Sequence, residues 1–221
     1  MKKFFVLLAF CGSVFAANAQ REVGTLTLQP KVGVTMATLS DFSLPLDDIG
    51  EKLDSKMLFG GMAGVEAEYQ LTPMISLSAG INYVMQGTQL EDYEARAGAV
   101  YAGVKDIKIE MNYFNVPITA NFYVYKGLAL RAGVQFGIVS DAKMKFTAYG
   151  NTTVAPFDGE TEFEEDIKDT KMDISIPLGI SYEYDDFVID ARYNLGLSKI
   201  ADDCDSKNRV IQLSLGYKFD L

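Results

Sequence analysis

Apolar and polar side chains take turns along most of this chain after residue 24. Leu26, Leu28, Val32, Val34 and Met36 interleave with Thr25, Thr27, Gln29, Lys31, Gly33 and Thr35. A period of two is the mark of a strand with two unlike faces. The same alternation recurs over 63–70, 75–86, 107–124, 128–138, 172–183, 187–196 and 211–221, which predicts eight strands. In the fourth, the apolar positions change parity, from Ile107, Ile109 and Met111 to Phe114, Val116, Ile118 and Phe122. One extra residue accounts for such a slip, so a bulge is expected near Asn112-Tyr113.

The links between the segments sort by length. Leu71-Thr72-Pro73, Tyr125-Lys126-Gly127 and Asp185-Asp186 are tight, whereas the stretches near 40–56, 88–106, 141–170 and 198–207 are long and mostly acidic. Short and long links alternate strictly, so all the tight turns fall at one end and all the long loops at the other. Even strand number and sorted loops are the build of barrels that cross membranes. The fold expected is all-β: an eight-stranded antiparallel up-and-down transmembrane β-barrel.

Alternation alone leaves open which face is inside. A soluble, lipocalin-like barrel points its apolar face inward; a membrane barrel points it outward. Glycine favours the second arrangement. Gly33, Gly64, Gly80, Gly133, Gly137, Gly179, Gly196 and Gly216 all lie on the polar face. On a face exposed to water they weaken strands for no gain, whereas inside a narrow barrel they leave room for long neighbours. Those neighbours are Lys31, Arg131, Arg192 and Lys218 against Glu66, Glu68, Asp173, Glu183 and Asp190. Buried charges must be paired, so these nine residues are the candidate site: a structural charge network filling the lumen. Arg192 is expected to pair with the Asp190 side or with neighbouring-strand carboxylates such as Asp173 or Glu183.

Aromatics cluster toward the strand ends (Tyr69, Tyr83, Tyr123, Tyr125, Tyr182, Tyr184, Tyr217, Phe219), where a membrane girdle would place them. The start of the chain reads as an export signal. Met1-Lys2-Lys3 is a basic n-region, Phe4 to Phe15 is a short apolar run, and Ala17-Asn18-Ala19 is a small-x-small cleavage pattern. Lipidation at Cys11 is disfavoured by Phe10, which stands where a small residue is needed. The division expected is therefore 1–19 signal peptide and 20–221 outer-membrane barrel domain. Cleavage removes Lys2 and Lys3 and takes the formal charge from -10 to -12. It also leaves Cys204 as the only cysteine, so no intramolecular disulfide forms.

Composition narrows the chemistry. Of the 221 residues, 30 are acidic, 20 are basic and none is histidine. The negative charge argues against nucleic acid as a partner. Without histidine there is no Ser-His-Asp triad and no His-ligated metal. Cys204 sits between Asp203 and Asp205, in a field that opposes the thiolate. No phosphate loop, dinucleotide fingerprint or cysteine cluster is present, so no cofactor is expected. The expected partners are outer-membrane lipid, the barrel-assembly machinery, which would read the terminal Tyr217-Lys218-Phe219-Asp220-Leu221 alternation, and a surface or envelope protein.

Three segments carry a family resemblance: Tyr113-Phe114-Asn115-Val116-Pro117-Ile118, the strand from Asp173 to Tyr182, and Arg192-Tyr193-Asn194-Leu195-Gly196-Leu197-Ser198-Lys199-Ile200. They resemble the PorT-like outer-membrane β-barrel family, small barrels built like OmpX and OmpA. The resemblance implies an outer-membrane barrel over essentially the whole exported chain, and one branch of that family is associated with a secretion system. Pro117 lacks a ladder donor and is expected to mark a local break. Four functions remain in view. A non-enzymatic barrel would be distinguished by loops that act at the surface or in envelope integrity, where the acidic 141–170 loop would meet a divalent cation or a basic partner. An accessory subunit of an envelope machine would have a stable partner, and a narrow ion channel a measurable conductance. A soluble periplasmic lipocalin-like barrel would have its faces reversed.

Overall fold

The computed structural model describes residues 21–40, 43–46, 51–97, 100–151, 158–167, 172–199 and 206–221. The strands in chain order are Leu26–Ser40 (β1), Ser43–Leu46 (β2), Glu51–Thr72 (β3), Ile75–Leu90 (β4), Tyr93–Ala97 (β5) and Val100–Tyr125 (β6). Leu128–Asn151 (β7), Asp158–Asp166 (β8), Asp173–Tyr184 (β9), Phe187–Gly196 (β10), Lys207–Tyr217 (β11) and Phe219–Asp220 (β12) follow. The expected signal peptide at 1–19 lies outside the described residues.

Eight strands close a ring, every pair antiparallel. The sheet runs β11-β10-β9-β7-β6-β4-β3, and β1 pairs with both its ends, β3 and β11. These eight are the alternating segments of the sequence. β2, β5 and β8 stand off the ring as partners of β3, β6 and β7, and β12 continues the last strand beside β1. A closed ring leaves no open edge along its wall.

Three tight turns lie where expected, at Pro73-Met74, Lys126-Gly127 and Asp185-Asp186. Gly127 has φ +76°, a conformation that a side chain resists. The opposite end differs from expectation. Three of the four long links are in large part paired strand: β3, β4, β6 and β7 run on past the ring and fold with β2, β5 and β8 into hairpins. Acidity hid them, because strand propensity scales undervalue Glu and Asp even where cross-strand partners and lysines supply the pairing.

The polar face is inside. Thr27, Gln29, Lys31, Glu66, Asn82, Asn115, Arg131, Asp190, Arg192 and Lys218 are all buried, while Val32, Ile81, Ile118, Leu130, Ile180, Ile189 and Leu215 lie on the outer surface. That is the reverse of a soluble barrel. Tyr123 is corrected from girdle to lumen: it is 9% exposed and points inward. Tyr69, Tyr83, Tyr125, Tyr182, Tyr184 and Phe219 do lie on the outside.

The irregularity expected at Asn112-Tyr113 is present, but its extra residue lies on the facing strand. β6 keeps one inside face without interruption, from Ile107 through Met111, Tyr113, Asn115 and Thr119 to Tyr123. Its apolar residues change face because its surroundings change: inward beyond the ring, outward within it. The register shift occurs opposite, where Asn112 faces Asp141 and Tyr113 faces Val139. The additional residue is therefore Ser140 of β7, and beyond it the even positions Ala142, Met144 and Phe146 turn inward. Pro117 breaks only the ladder to β4, which pairs at Ala79–Ile118 and resumes at Asn82–Asn115 in unchanged register.

Candidate functional site: the filled lumen

Eight of the nine nominated charges meet in two connected layers. Glu66 of β3 is the hub of the first. It is 2% exposed and pairs with Lys31 of β1, with Arg131 Nη2 of β7 at 2.8 Å and with Arg192 Nη1 of β10 at 3.2 Å. Arg131 Nη1 also reaches Asp190 Oδ2 at 2.6 Å, and its Nε donates to Asn121 Oδ1 at 2.8 Å. Arg192 Nη2 lies 3.4 Å from Asp190 Oδ2. Glu66, not Asp173 or Glu183, is thus the cross-ring partner of Arg192. Sequence reasoning looked to neighbouring strands, but a small ring lets long side chains span it.

The second layer lies nearer the tight turns. Lys218 Nζ contacts Glu183 Oε2 at 2.7 Å and Glu68 Oε2 at 3.0 Å, and donates to the Tyr123 hydroxyl at 3.1 Å. Tyr123 in turn donates to Glu68, which also accepts from Ser76 Oγ at 2.7 Å. Arg21, which sequence reasoning missed, closes this end. Its guanidinium lies 3.1 Å from Glu183 and 2.8 Å from Asp186, and also pairs with Asp220. It precedes the alternating pattern, so no periodicity pointed to it.

Asp173 stands apart. It is 5% exposed and accepts from Ser198 Oγ at 3.1 Å, with no cation paired to it among the described residues. The glycines serve the crowding expected of them. A Cβ at Gly80 would stand 2.5 Å from Glu66 Cγ, and one at Gly137 2.7 Å from Asn115 Oδ1. Breaking one partner of such a buried pair costs about 3–5 kcal/mol, because the other charge is left unpaired.

Beyond these layers, toward the hairpins, the lumen turns apolar. Leu39, Ile109, Met111, Tyr113 and Ala142 pack together with Val139, Met144 and Ile167 against them. Leu90 and Ile107 continue the column with Tyr93, Val104, Met144 and Phe146. This cap was legible only in part, as the inner residues of segments assigned to loops. Outside it, Lys143 and Lys145 of β7 pair with Glu164 and Glu110 at 2.7 Å each. Among the described residues, no cluster of three or more acidic or cysteine groups is placed to hold a metal ion. Of the acids in the 141–170 segment, Asp141 of β7 and Glu162, Glu164, Glu165 and Asp166 of β8 are exposed, Asp158 and Glu160 also lie on β8, and Asp169 lies outside the described residues.

Comparison with known proteins gives remote structural likenesses and one family match. No curated protein matches the chain. Among solved structures, Ail, the attachment invasion locus protein of Yersinia pestis, in complex with the heparin analogue sucrose octasulfate, is 18% identical. That match covers 90% of this chain and 100% of that one, at a TM-score of 0.48. Neisserial surface protein A is 12% identical over 89% of this chain and 97% of its own, at 0.43. The outer membrane protease OmpT from Escherichia coli is 12% identical over 89% and 97%, at 0.40. A family model described as an outer membrane protein beta-barrel domain matches residues 17–202. With that match over most of its length, the chain belongs to the outer membrane protein β-barrel domain family, whose place is the bacterial outer membrane.

Proposed function

We propose that this chain is a non-enzymatic outer-membrane barrel, exported by a signal peptide cleaved after Ala19, with a closed, charge-paired lumen and projecting hairpins that act at the cell surface. The observation that carries the reading is the division of labour along the strands. Within the ring the outside is apolar and the inside is filled by ion pairs; beyond it the strands continue as charged hairpins. The rise of ten residues from Tyr69 to Phe59 on β3 covers about 25 Å at about 3.3 Å per residue and a tilt of about 40°. That matches the apolar band of outer-membrane barrels. The tight turns then face the periplasm and the hairpins face outward.

A filled eight-stranded interior is too narrow for a diffusion pore, which takes about 16–18 strands. The surface is therefore where a barrel of this kind meets a partner or supports the envelope. The Tyr113–Ile118 and Arg192–Ile200 motifs support a place among PorT-like barrels, without assigning the chain to the secretion-associated branch. In the structure Tyr113 and Arg192 both line the lumen, so these motifs serve the interior packing.

The test is capture from detergent-solubilised outer membrane with a tag between residues 152 and 157, the sample run boiled and unboiled. A heat-shifted band recovered alone supports a free-standing surface barrel. A stoichiometric envelope partner would replace it with the accessory-subunit reading. A soluble protein without a heat shift would overturn the membrane assignment.

A further inference from the structure

We infer that the apolar cap is a lid over a hydrated chamber of amides, and that this lid, rather than the ion network, separates the upper lumen from the exterior. Between the Glu66 layer and the cap, the inward positions carry six amides, Asn82 and Gln86 on β4, Asn115 on β6, Asn194 on β10, and Gln212 and Asn208 on β11, with Val84, Val210 and Met62 buried among them. Asn82 and Asn115 face each other across the β4–β6 ladder. All six are at least nine-tenths buried. Their side-chain polar atoms are nonetheless poorly matched by protein: Asn82 Oδ1, Gln86 Nε2, both ends of Asn115, both ends of Asn194, Asn208 Oδ1 and Gln212 Nε2 have no protein partner.

Leaving a buried amide unpaired costs about 1–3 kcal/mol per group, so one isolated orphan is tolerable and a layer of them is not. Polar, roomy interiors resolve this by holding water, each molecule making about three bonds. Gly64 and Gly137 leave space for the Asn82 and Asn115 amides themselves, whose Oδ1 atoms stand where a Cβ would go. Above this chamber Tyr113 marks the boundary: its ring belongs to the cap, while its hydroxyl accepts from Asn208 Nδ2 at 3.1 Å across the lumen. Apolar side chains offer water no partners, so Leu39, Ile109, Met111 and Ala142 seal it.

The lid is built from the base of the projecting β7–β8 hairpin as well as from the ring. Ile167, just past β8, packs on the cap and its N–H donates to Ala142 O at 2.8 Å. Phe146 of the apolar column stacks on Phe163 of β8 at 5.0 Å. The outer hairpin and the seal are thus one packed unit.

The inference rests on the closed-lumen reading, and thiol accessibility separates the two. In a Cys204→Ser background, Asn115→Cys places a thiol in the chamber, and folded protein, verified by its heat shift, is treated with a small cationic methanethiosulfonate. Labelling is expected to be at least 100-fold slower than for Arg209→Cys on the outside. Adding Leu39→Ser and Met111→Ser is expected to raise it at least tenfold. If that pair prevents folding, Ile109→Thr alone is used. Fast labelling before the lid is altered would deny the closed lumen itself. Unchanged slow labelling in a folded lid variant would overturn the lid. Water-to-amide NMR cross-peaks at the side chains of Asn115 and Asn194 test the hydration, and their absence would overturn the chamber.

Discussion

Glu66 shows what one side chain does in this interior. It holds three cations from three different strands, and a neutral isostere leaves all three short of a counter-charge. Glu66→Gln is expected to destabilise the folded barrel by about 3–5 kcal/mol, read as a lower urea midpoint in micelles with the heat shift retained at low urea. A change under about 1 kcal/mol, the worth of an exposed pair, would mean that water, not protein, balances these charges. Parity along each strand was enough to place Lys31, Glu66, Arg131, Asp190 and Arg192 on one face, but it carried no information about partners. Glu66 and Arg192 are 126 positions apart. Their meeting depends on the ring's closure, as does the contrast with Asp173, which also faces inward but whose hydrogen-bond partners among the described residues are hydroxyl and amide groups.

At the scale of elements, β6 and β7 solve one problem in opposite ways. Both cross from a zone where apolar side chains belong outside to one where they belong inside. β6 changes its sequence parity and keeps its faces, while β7 keeps its parity and changes its faces through Ser140. A sequence cannot separate these cases, since each is a single phase relation between pattern and pleat. Deleting Ser140 is therefore expected to leave the heat-shifted ring intact while turning Met144 and Phe146 outward and Lys143 and Lys145 inward. The check is rapid proteolytic cleavage of the β7–β8 hairpin in the deletion variant and slow cleavage in the parent. The hairpin also carries a pH dependence. Lys143 donates a 2.7 Å hydrogen bond to Glu164 and holds its carboxyl below the usual carboxylate range. A depressed carboxyl contributes to pairing above its ordinary pKa and loses that contribution as the pH falls through the lowered one. A carboxyl NMR titration should place the Glu164 midpoint below the ordinary value of about 4.3, and Lys143→Gln should return it there.

For the whole molecule, closure is the organising fact. β1 is paired on both sides, with β3 and with β11, and β12 extends the seam at Thr27–Asp220 and Leu28–Phe219. Arg21 ties that same end across to Glu183 and Asp186. Removing residues 219–221 takes away the last seam pairs and one of the Arg21 carboxylates together. The expected result is a barrel that still closes along Lys31–Ser40 but has a lower urea midpoint and a smaller heat-shifted fraction when refolded into micelles. A midpoint equal to the parent's would show that the seam is set by β11 alone.

The sequence by itself determined the eight strands, their order, the three tight turns and the identity of the inward charges, because a period of two, turn chemistry and glycine placement are local properties of the chain. The family match and the outward apolar face agree with what those patterns predicted about the membrane. Three things were decided only by the tertiary structure: which charges meet, how far the strands continue past the ring, and the stacking of ion layers, amides and apolar cap within one lumen. Each depends on distances across a closed ring between residues far apart in sequence. A linear pattern reports which face a residue occupies, and only closure determines what stands opposite it.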